Sequence, residues 1–262
     1  MLLFSFLKVV VMNASPKNNR SVMASRVELN GQGDYFPTPP WATRVLCELI
    51  LRLEKVGEEE WQKLSVWEPA CGGGHMVLPL RDYFDNVIAS DLFNRGFGDA
   101  HGEAWDFLTI LPKWQFPLRA FDWIITNPPF GLLAQQFVER ALAHKPKRGV
   151  AVLMPLRWLE TIDRVATLFM EQPPDTVAVF AERVAIHKGH YDPKGGTATA
   201  YCWIIWRTEQ ATSSTKLVWI PPNSKKRFSK LSDLKLASAP QVVAEQPGPL
   251  FSLPETLEVC NA

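Results

Sequence analysis

The chain has 262 residues, of which 47% are hydrophobic, and its formal net charge is only +1. This composition predicts one globular domain with short appendages and excludes a fibrous or wholly disordered protein. The four cysteines are scattered, with no C-x-x-C pair and no histidine at zinc-ligand spacing. We therefore expect no metal site, and the reduced thiols of a cytoplasmic protein.

Residues 1–33 are expected to be a disordered or mis-annotated N-terminal extension, in which an apolar run precedes a polar stretch. The apolar run at 1–12 is too short to span a bilayer. It also lacks the basic start and the cleavage site of a signal peptide, so we expect no membrane association. Met12 and Met23 are alternative start positions.

The first helix is predicted to start at Thr38 and Pro39, which supply an N-cap hydroxyl and a proline at the first helical position. Apolar residues then recur at helical spacing to about Leu53. Further helices are expected up to about residue 84, at 132–143 and at 158–170. Strands are expected at 65–68, 86–90, 103–105, 121–126, 149–154, 176–180, 199–207 and 216–220. This alternation predicts an α/β fold on a mostly parallel sheet with right-handed crossovers.

Polar or glycine-rich residues follow several of these strands, where ligands bind in open α/β sheets. The glycines at 72–74 let backbone approach a ligand closely. Asp91 suits a ribose diol, and Asp106–Phe107 suits an adenine ring, with a carboxylate for the amine and an aromatic face. Glu68 suits a ligand ammonium, or needs another partner, because a buried charge is costly. Each feature alone is also ordinary turn chemistry, but together they predict a cationic cofactor that carries a nucleoside.

The segment Asn127–Phe130, with the sequence Asn-Pro-Pro-Phe, directly follows the strand at 121–126. Two prolines cannot continue a strand ladder, so a rigid loop must begin there. An amide oxygen beside a backbone carbonyl makes a two-acceptor clamp for an NH2 group, and the ring of Phe130 can stack on a flat heterocycle. The loop is therefore predicted to hold the exocyclic amine of a base, with a simple turn as the alternative.

Positive charge is concentrated in residues 183–235, which hold ten Lys and Arg against three acidic residues. Such a segment suits a polyanion partner, with a solvated basic tail as the alternative. The polar loop at 181–198 carries Arg183, Lys188 and His190, which are candidate contacts to the phosphates of a nucleic-acid substrate. Residues 208–262 are expected to form a short, basic, poorly ordered C-terminal tail.

Three motifs, at Asp34–Pro40, Glu68–Gly74 and Asn127–Phe130, resemble those of the S-adenosylmethionine-dependent N6-adenine DNA methyltransferases, which carry a D/N-P-P-Y/F/W motif. Their order is similar to the family's gamma arrangement, and the chain looks like the small methylases of phages and prophages. The resemblance covers residues 34–207 as the catalytic domain. It implies a Rossmann-like class I methyltransferase fold, with a mostly parallel seven-stranded sheet and helices on both faces. The chain departs from the family at Ala70, often aromatic there, and in lacking a large target-recognition domain.

The resemblance also implies the site residues. The catalytic residues are Asn127, Pro128, Pro129 and Phe130. The residues expected to bind S-adenosylmethionine are Phe36, Pro37, Thr38, Glu68, Ala70, Gly72, Gly74, Asp91, Leu92, Asp106, Phe107 and Asn127. The target adenine is expected to flip out of the duplex and stack on Phe130, while the Asn127 side chain and the Pro128 carbonyl accept hydrogen bonds from its N6 amine.

The activity implied is methyl transfer from S-adenosylmethionine to the N6 amine of adenine in DNA, with low or short sequence specificity. Its biological role is left open among restriction protection, anti-restriction and regulation. Release-factor glutamine methyltransferases share the Asn-Pro-Pro loop, but they carry a helical N-terminal domain and an Asp-rich glycine motif that we do not expect here. RNA or single-stranded DNA stays open as substrate, and a catalytically silent nucleic-acid-binding protein is the alternative outside enzymes. Oligomeric state and target sequence are not predicted.

Overall fold

The computed structural model describes residues 35–95, 97, 105–109, 121–208 and 214–237. In these ranges the strands are β1 (Ser65–Glu68), β2 (Asn86–Ala89), β3 (Trp123–Thr126), β4 (Gly149–Pro155), β5 (Thr176–Phe180), β6 (Tyr201–Arg207) and β7 (Lys216–Ile220). The helices are α1 (Pro40–Glu54), α2 (Glu58–Gln62), α3 (Val77–Leu80), α4 (Leu132–Ala143), α5 (Ile162–Arg164), α6 (Ser224–Phe228) and α7 (Leu234–Ala237). No helix in these ranges is long and apolar enough to cross a membrane. The expected extension at 1–33 lies outside the described residues.

The seven strands form one sheet in the order β2-β1-β3-β4-β6-β5-β7. Strand β6 runs antiparallel to both β4 and β5, and every other pairing is parallel. The carboxyl ends of the six parallel strands therefore meet at one edge of the sheet, where open α/β sheets bind ligands. This topology confirms the expected mostly parallel, seven-stranded α/β sheet.

Both faces of the sheet are covered, which explains why its central strands are apolar throughout rather than alternating. All four residues of β3 are buried. Trp123 and Ile125 belong to the core that β3 shares with α1, whereas Ile124 belongs to the core that it shares with α4. The catalytic-loop candidate thus leaves a strand that is fixed from both sides.

The start of α1 differs from the expectation. Pro39 occupies the cap position, the first helical residue is Pro40, and no side chain caps the helix. The Thr38 hydroxyl, expected to be the cap, instead accepts a 3.0 Å hydrogen bond from Asn127 Nδ2. The Thr38 hydroxyl therefore bonds to a residue distant in the sequence and does not cap the helix, although threonine is a common N-cap residue.

Helix α4 has the predicted bounds, but two other helices do not. The helix expected up to residue 84 covers only Val77–Leu80. The helix expected at 158–170 is divided into a 3-10 turn at Leu156–Leu159, the short α5 and a π-helical turn at Val165–Phe169. Its continuity is lost because Ile162, Val165 and Met170 are exposed, so the segment lacks the apolar stripe that holds a helix against a core.

Only the last residue of the strand expected at 103–105 is among the described residues. That residue, Trp105, is not in a strand. Its backbone N–H donates a 2.8 Å hydrogen bond to the carbonyl of Asp91. The seventh strand is β7, which pairs with β5 from Thr176↔Lys216 to Phe180↔Ile220.

Residues 214–237 form a C-terminal cap, in contrast to the expected loose tail. The cap comprises β7, α6 and α7, and it is anchored by Arg44 of α1. The Arg44 guanidinium donates to both carboxylate oxygens of Asp233, at 2.9 and 2.8 Å, and to the carbonyl of Phe228 at 2.9 Å. The composition of this segment predicts disorder because it is basic and poor in apolar residues. A buried ion pair with a distant helix is not visible in such a pattern.

Candidate active site

A pocket of about 980 Å³, including its open mouth, lies at the sheet edge where the parallel strands end. It is lined from the segments 35–38, 69–76, 91–95, 105–108 and 127–137. Of the residues expected to bind the cofactor, the lining includes Phe36, Pro37, Thr38, Ala70, Gly72, Asp91, Leu92, Asp106, Phe107 and Asn127. Segments far apart in the chain thus converge as the three motifs indicate. The lining does not include Glu68 or Gly74.

The Asn127 side chain is held in one orientation by its amide nitrogen. Asn127 Nδ2 donates hydrogen bonds of 3.0 Å to the carbonyl of Phe36 and to Thr38 Oγ1. A backbone carbonyl can only accept, so the partner at Phe36 identifies the nitrogen and therefore the opposite Oδ1. Asn127 Oδ1 is buried and has no hydrogen-bond partner. A buried, unpaired acceptor is costly, and here it lies beside the pocket.

The two prolines and the ring of the Asn-Pro-Pro-Phe loop have different surroundings. Pro129 lines the pocket, whereas Pro128 is buried. The half-buried ring of Phe130 packs on Phe36, with 4.8 Å between ring centroids, and lies 6.4 Å from the ring of Tyr201. Phe130 is therefore not among the pocket-lining residues, but it packs on Phe36, which is.

The glycine turn is built around aromatic side chains. Gly72 and Gly74 have positive φ angles of 53° and 80°. A Cβ at Gly72 would lie 2.7 Å from the Tyr35 ring, and one at Gly74 would lie 2.5 Å from the Phe97 ring. The space that these glycines leave is thus filled by Tyr35 and Phe97. The expected approach of the Gly74 backbone to a ligand stays a prediction.

Asp91 organises the ends of β1 and β2. Its Oδ2 accepts a 2.7 Å hydrogen bond from the N–H of Gly72, and its Oδ1 accepts a 2.9 Å hydrogen bond from the N–H of Phe93. Burial raises the pKa of Asp91, and these two backbone hydrogen bonds oppose that shift. Each carboxylate oxygen has further lone-pair capacity, so the geometry leaves Asp91 available to accept from a ligand as well.

Replacing Asp91 with asparagine is expected to weaken S-adenosylhomocysteine binding by about tenfold to a hundredfold. The amide has one acceptor oxygen in place of two and no charge, and a hydrogen bond to a charged group contributes about 1.5–3 kcal/mol. Isothermal titration calorimetry measures the affinity. The exposed Asp163→Asn variant is the matched control and should bind normally. Unchanged affinity in the Asp91 variant would refute a role in cofactor binding.

The pair Asp106–Phe107 differs from the expectation. Asp106 is not at a strand end: its carboxylate accepts from the N–H of Leu108 at 3.0 Å and from Thr109 Oγ1 at 2.8 Å, which stabilises its own turn. Phe107 is buried in the core, where its ring stacks on His144 at 5.4 Å and packs edge-on against Trp67. Both residues border the pocket, but each has a structural role that the sequence pattern does not reveal.

Glu68 is fully buried and links the ends of β1 and β3. Its Oε1 accepts from Thr126 Oγ1 at 2.6 Å and from the N–H of Ala70 at 2.9 Å, while Oε2 is buried without a partner. Burial raises the pKa of Glu68 to about 8, against the opposing effect of the hydrogen bond from Thr126. A neutral carboxyl outside the pocket lining does not suit the expected contact with a ligand ammonium. It instead bridges the glycine turn and the residue before Asn127.

The protonation of Glu68 predicts a dependence of stability on pH. Its folded-state pKa of about 8 lies above the ordinary value of 4.5, so the folded protein holds a proton that the unfolded chain releases. The resulting stabilisation is complete below about pH 4.5 and declines by about 1.4 kcal/mol per pH unit as the pH rises toward 8. Glu68→Gln, which stays neutral, should flatten this slope in urea unfolding at several pH values. An unchanged slope would contradict the assignment.

The basic loop, residues 181–198, lies against the pocket segment. The N–H of Gly189 donates a 2.8 Å hydrogen bond to the carbonyl of Tyr35, and residues 184–186 are buried. The candidate phosphate contacts Arg183, Lys188 and His190 are all exposed. The loop is therefore a packed structure that presents these three side chains to solvent, although none of them lines the pocket.

Tyr35 and Arg95 line the pocket but are absent from the expected site residues. The Arg95 guanidinium lies 4.5 Å from the centre of the Tyr35 ring, a cation–π distance. Tyr35 Oη also lies 3.3 Å from His75 Nδ1. Tyr35 belongs to the first motif, so the sequence contained a signal for it. No local pattern marks Arg95, because its contact depends on the folded loop after β2.

The fold is that of the class I S-adenosylmethionine-dependent methyltransferases. A type I restriction-modification methyltransferase subunit from Streptococcus thermophilus matches with a TM-score of 0.55 and 14% identity, over 77% of this chain and 50% of that subunit. A putative class I S-adenosylmethionine-dependent methyltransferase from Listeria monocytogenes matches with a TM-score of 0.48 and 14% identity, over 82% of this chain and 72% of the other. This chain thus spans half the length of the restriction-modification subunit.

Sequence comparison adds no further assignment, since no protein-family model and no curated protein matches the chain. In the described ranges, no group of three or more His, Cys, Asp or Glu is arranged to hold a metal ion. The functional conclusion therefore rests on the fold and on the geometry of the pocket.

Proposed function

We propose that this protein transfers a methyl group from S-adenosylmethionine to the N6 amine of adenine in DNA. The observation that carries the proposal is the buried, unpaired Oδ1 of Asn127, fixed in orientation by the two hydrogen bonds of its Nδ2. An exocyclic amine is the donor that such an acceptor requires. Residues 34–207 make up the proposed catalytic domain, with the C-terminal cap packed on it.

The pocket fits the proposed cofactor in chemistry. It combines apolar side chains with the carboxylates of Asp91 and Asp106. Asp91 would accept hydrogen bonds from the ribose, while Leu92 and Phe36 would pack against apolar parts of the molecule. S-adenosylmethionine, when bound, supplies a methyl group activated by its sulfonium charge. Tyr35 and Arg95, beside the glycine turn, would restrict access of water to it.

The contribution of the protein to the reaction is to position the amine. Asn127 Oδ1 and the Pro128 carbonyl would each accept a hydrogen bond from N6, which holds the nitrogen toward tetrahedral geometry and frees its lone pair. Positioning of this kind accounts for a large part of catalysis in group-transfer reactions. The acceptor is already oriented before the substrate arrives, so no reorganisation is needed at the moment of reaction.

The target adenine would have to leave the base stack, because its N6 is not accessible to in-line attack within a duplex. The half-buried ring of Phe130, backed by the buried ring of Tyr201, would be the face on which the extruded base stacks. Stacking of a base on an aromatic side chain contributes about 1–3 kcal/mol. The exposed side chains of the basic loop, Arg183, Lys188 and His190, would contact the phosphates.

DNA is favoured as the substrate by the similarity in fold to a restriction-modification methyltransferase subunit. RNA is the second candidate. The Asn127 acceptor addresses the exocyclic amine of the base and not the sugar, so it does not by itself distinguish RNA from DNA.

The proposal is tested by methyl transfer from labelled S-adenosylmethionine to unmethylated DNA and to RNA, followed by nucleoside digestion and mass spectrometry. We expect N6-methyladenine in DNA, and its density would report the sequence specificity. Label confined to RNA would replace the substrate assignment. The absence of label from both, with normal S-adenosylhomocysteine binding, would overturn the proposed activity.

A further inference from the structure

An apolar side chain lies almost fully in solvent at the rim of the active-site pocket. Leu132 is 86% exposed, although it is the first residue of α4 and follows the Asn-Pro-Pro-Phe loop by one residue. The next residue in the chain, Leu133, lines the pocket, as does Pro129 three residues earlier. Isolated exposed leucines are common, but this one adjoins the catalytic loop in a position that the proposed mechanism does not use.

The backbone before Leu132 has a conformation that only glycine adopts readily. Gly131 has φ 77° and ψ −140°, and a Cβ at this position would meet nothing within 4 Å. Glycine is therefore required by the dihedral angles and not by lack of space. The turn separates two neighbouring side chains, with Phe130 half-buried beside Phe36 and Leu132 in solvent. The glycine turn thus directs the leucine outward.

The base of α4 is braced, so the position of Leu132 is defined. Ala134, two residues further, is buried in the core, and Gln135 Nε2 donates a 3.0 Å hydrogen bond to Thr167 Oγ1 across to the neighbouring segment. The basic loop follows β5 at this same edge of the sheet and exposes Lys188, although Lys188 does not line the pocket. A polyanion bound by Lys188 would lie along the sheet edge that also carries Leu132.

We propose that Leu132 is a wedge that enters the base stack of duplex DNA and fills the space left by the extruded adenine. The inference rests on the proposed function, and it gives Leu132 a role that only duplex DNA requires. Apolar side chains that insert between base steps offset the cost of unstacking. A leucine on a rigid turn directly beside the amine clamp is suited to this, since the vacated space lies next to the extruded base. Single-stranded DNA has no such space to fill, so the wedge should matter only for duplex.

The test compares initial rates on one genomic DNA lacking adenine methylation, used as duplex and after heat denaturation. Leu132→Ala is expected to lower the duplex rate about tenfold and to leave the rate on denatured DNA unchanged, because only the duplex requires base extrusion. Leu132→Met, which keeps an apolar side chain of similar volume, should retain most of the duplex rate. Leu231→Ala is the matched control: Leu231 is 88% exposed in the C-terminal cap, and both rates should stay normal.

Several outcomes would overturn the wedge. They are an equal loss on both DNA forms, no loss on either, or wild-type activity confined to denatured DNA. The same holds if Ile162→Ala, at the other strongly exposed apolar position near this edge, gives the duplex-specific loss in place of Leu132→Ala. Failure of the proposed function is a different result, since the wild-type protein would then methylate neither form of DNA.

Discussion

Replacing Asn127 with alanine is expected to reduce kcat for methyl transfer by about a hundredfold to a thousandfold, the range found when one preorganised hydrogen-bonding group is removed from an active site. The alanine lacks the buried Oδ1 that we assign to the N6 amine. Single-turnover kinetics at saturating S-adenosylmethionine measures the loss directly. S-adenosylhomocysteine affinity should change little by comparison, because the remaining pocket lining is intact.

Thr38→Val is the matched control for this experiment. Valine has nearly the shape of threonine and removes only the Oγ1 acceptor of Asn127 Nδ2, leaving the bond to the Phe36 carbonyl and the free Oδ1. We expect a loss of about tenfold or less, consistent with one net hydrogen bond. If Asn127→Ala weakened cofactor binding and transfer to the same extent, Asn127 would be a cofactor-site residue and the clamp would be refuted.

Replacing Arg44 with alanine is expected to lower the free energy of unfolding by about 3–5 kcal/mol, the typical cost of breaking a buried ion pair by removing one partner. Arg44 and Asp233 are both almost fully buried and joined by two hydrogen bonds. Without the guanidinium, Asp233 keeps its negative charge with no cation at hydrogen-bond distance, and the Phe228 carbonyl loses its donor. Urea denaturation measures the change.

Two further variants distinguish the effect of the buried ion pair on stability from the effect of a surface charge. Lys147→Ala removes an exposed lysine 3.9 Å from Asp122 and should change stability by less than about 1 kcal/mol. The double variant Arg44→Leu with Asp233→Leu should recover part of the loss, because it leaves no unpaired buried charge. A double variant as unstable as Arg44→Ala alone would contradict this account and indicate that the contacts of Arg44 with Asp82 and the Phe228 carbonyl dominate.

The central strands of the sheet could be predicted from the sequence because they follow from short-range patterns. Apolar runs at 65–68 and 176–180 define β1 and β5 with the predicted bounds, and the residues after β1 and β3 carry the motifs that meet at the pocket. Parallel strands bring their carboxyl ends to one edge wherever the crossovers are right-handed, so convergence of the motifs follows from topology alone.

The C-terminal cap shows where sequence patterns stop being informative. Its basic, polar composition predicts disorder, yet Arg44, nearly two hundred residues earlier, fixes it through Asp233. Long-range ion pairs leave no local signature, because each partner alone resembles a surface charge. The same limit explains Thr38, whose hydroxyl is taken by Asn127 in preference to the helix cap.

The sequence by itself determined the α/β class, the order of the three motifs and the choice of Asn127 as the central residue, since these depend on periodicity and on residue types at strand ends. Only the tertiary structure decided what each polar group does: which oxygen of Asn127 is free, why Glu68 is neutral, and why Asp106 and Phe107 support the fold beside the pocket. The physical reason is that hydrogen-bond partners and burial are set by chain segments far apart in sequence.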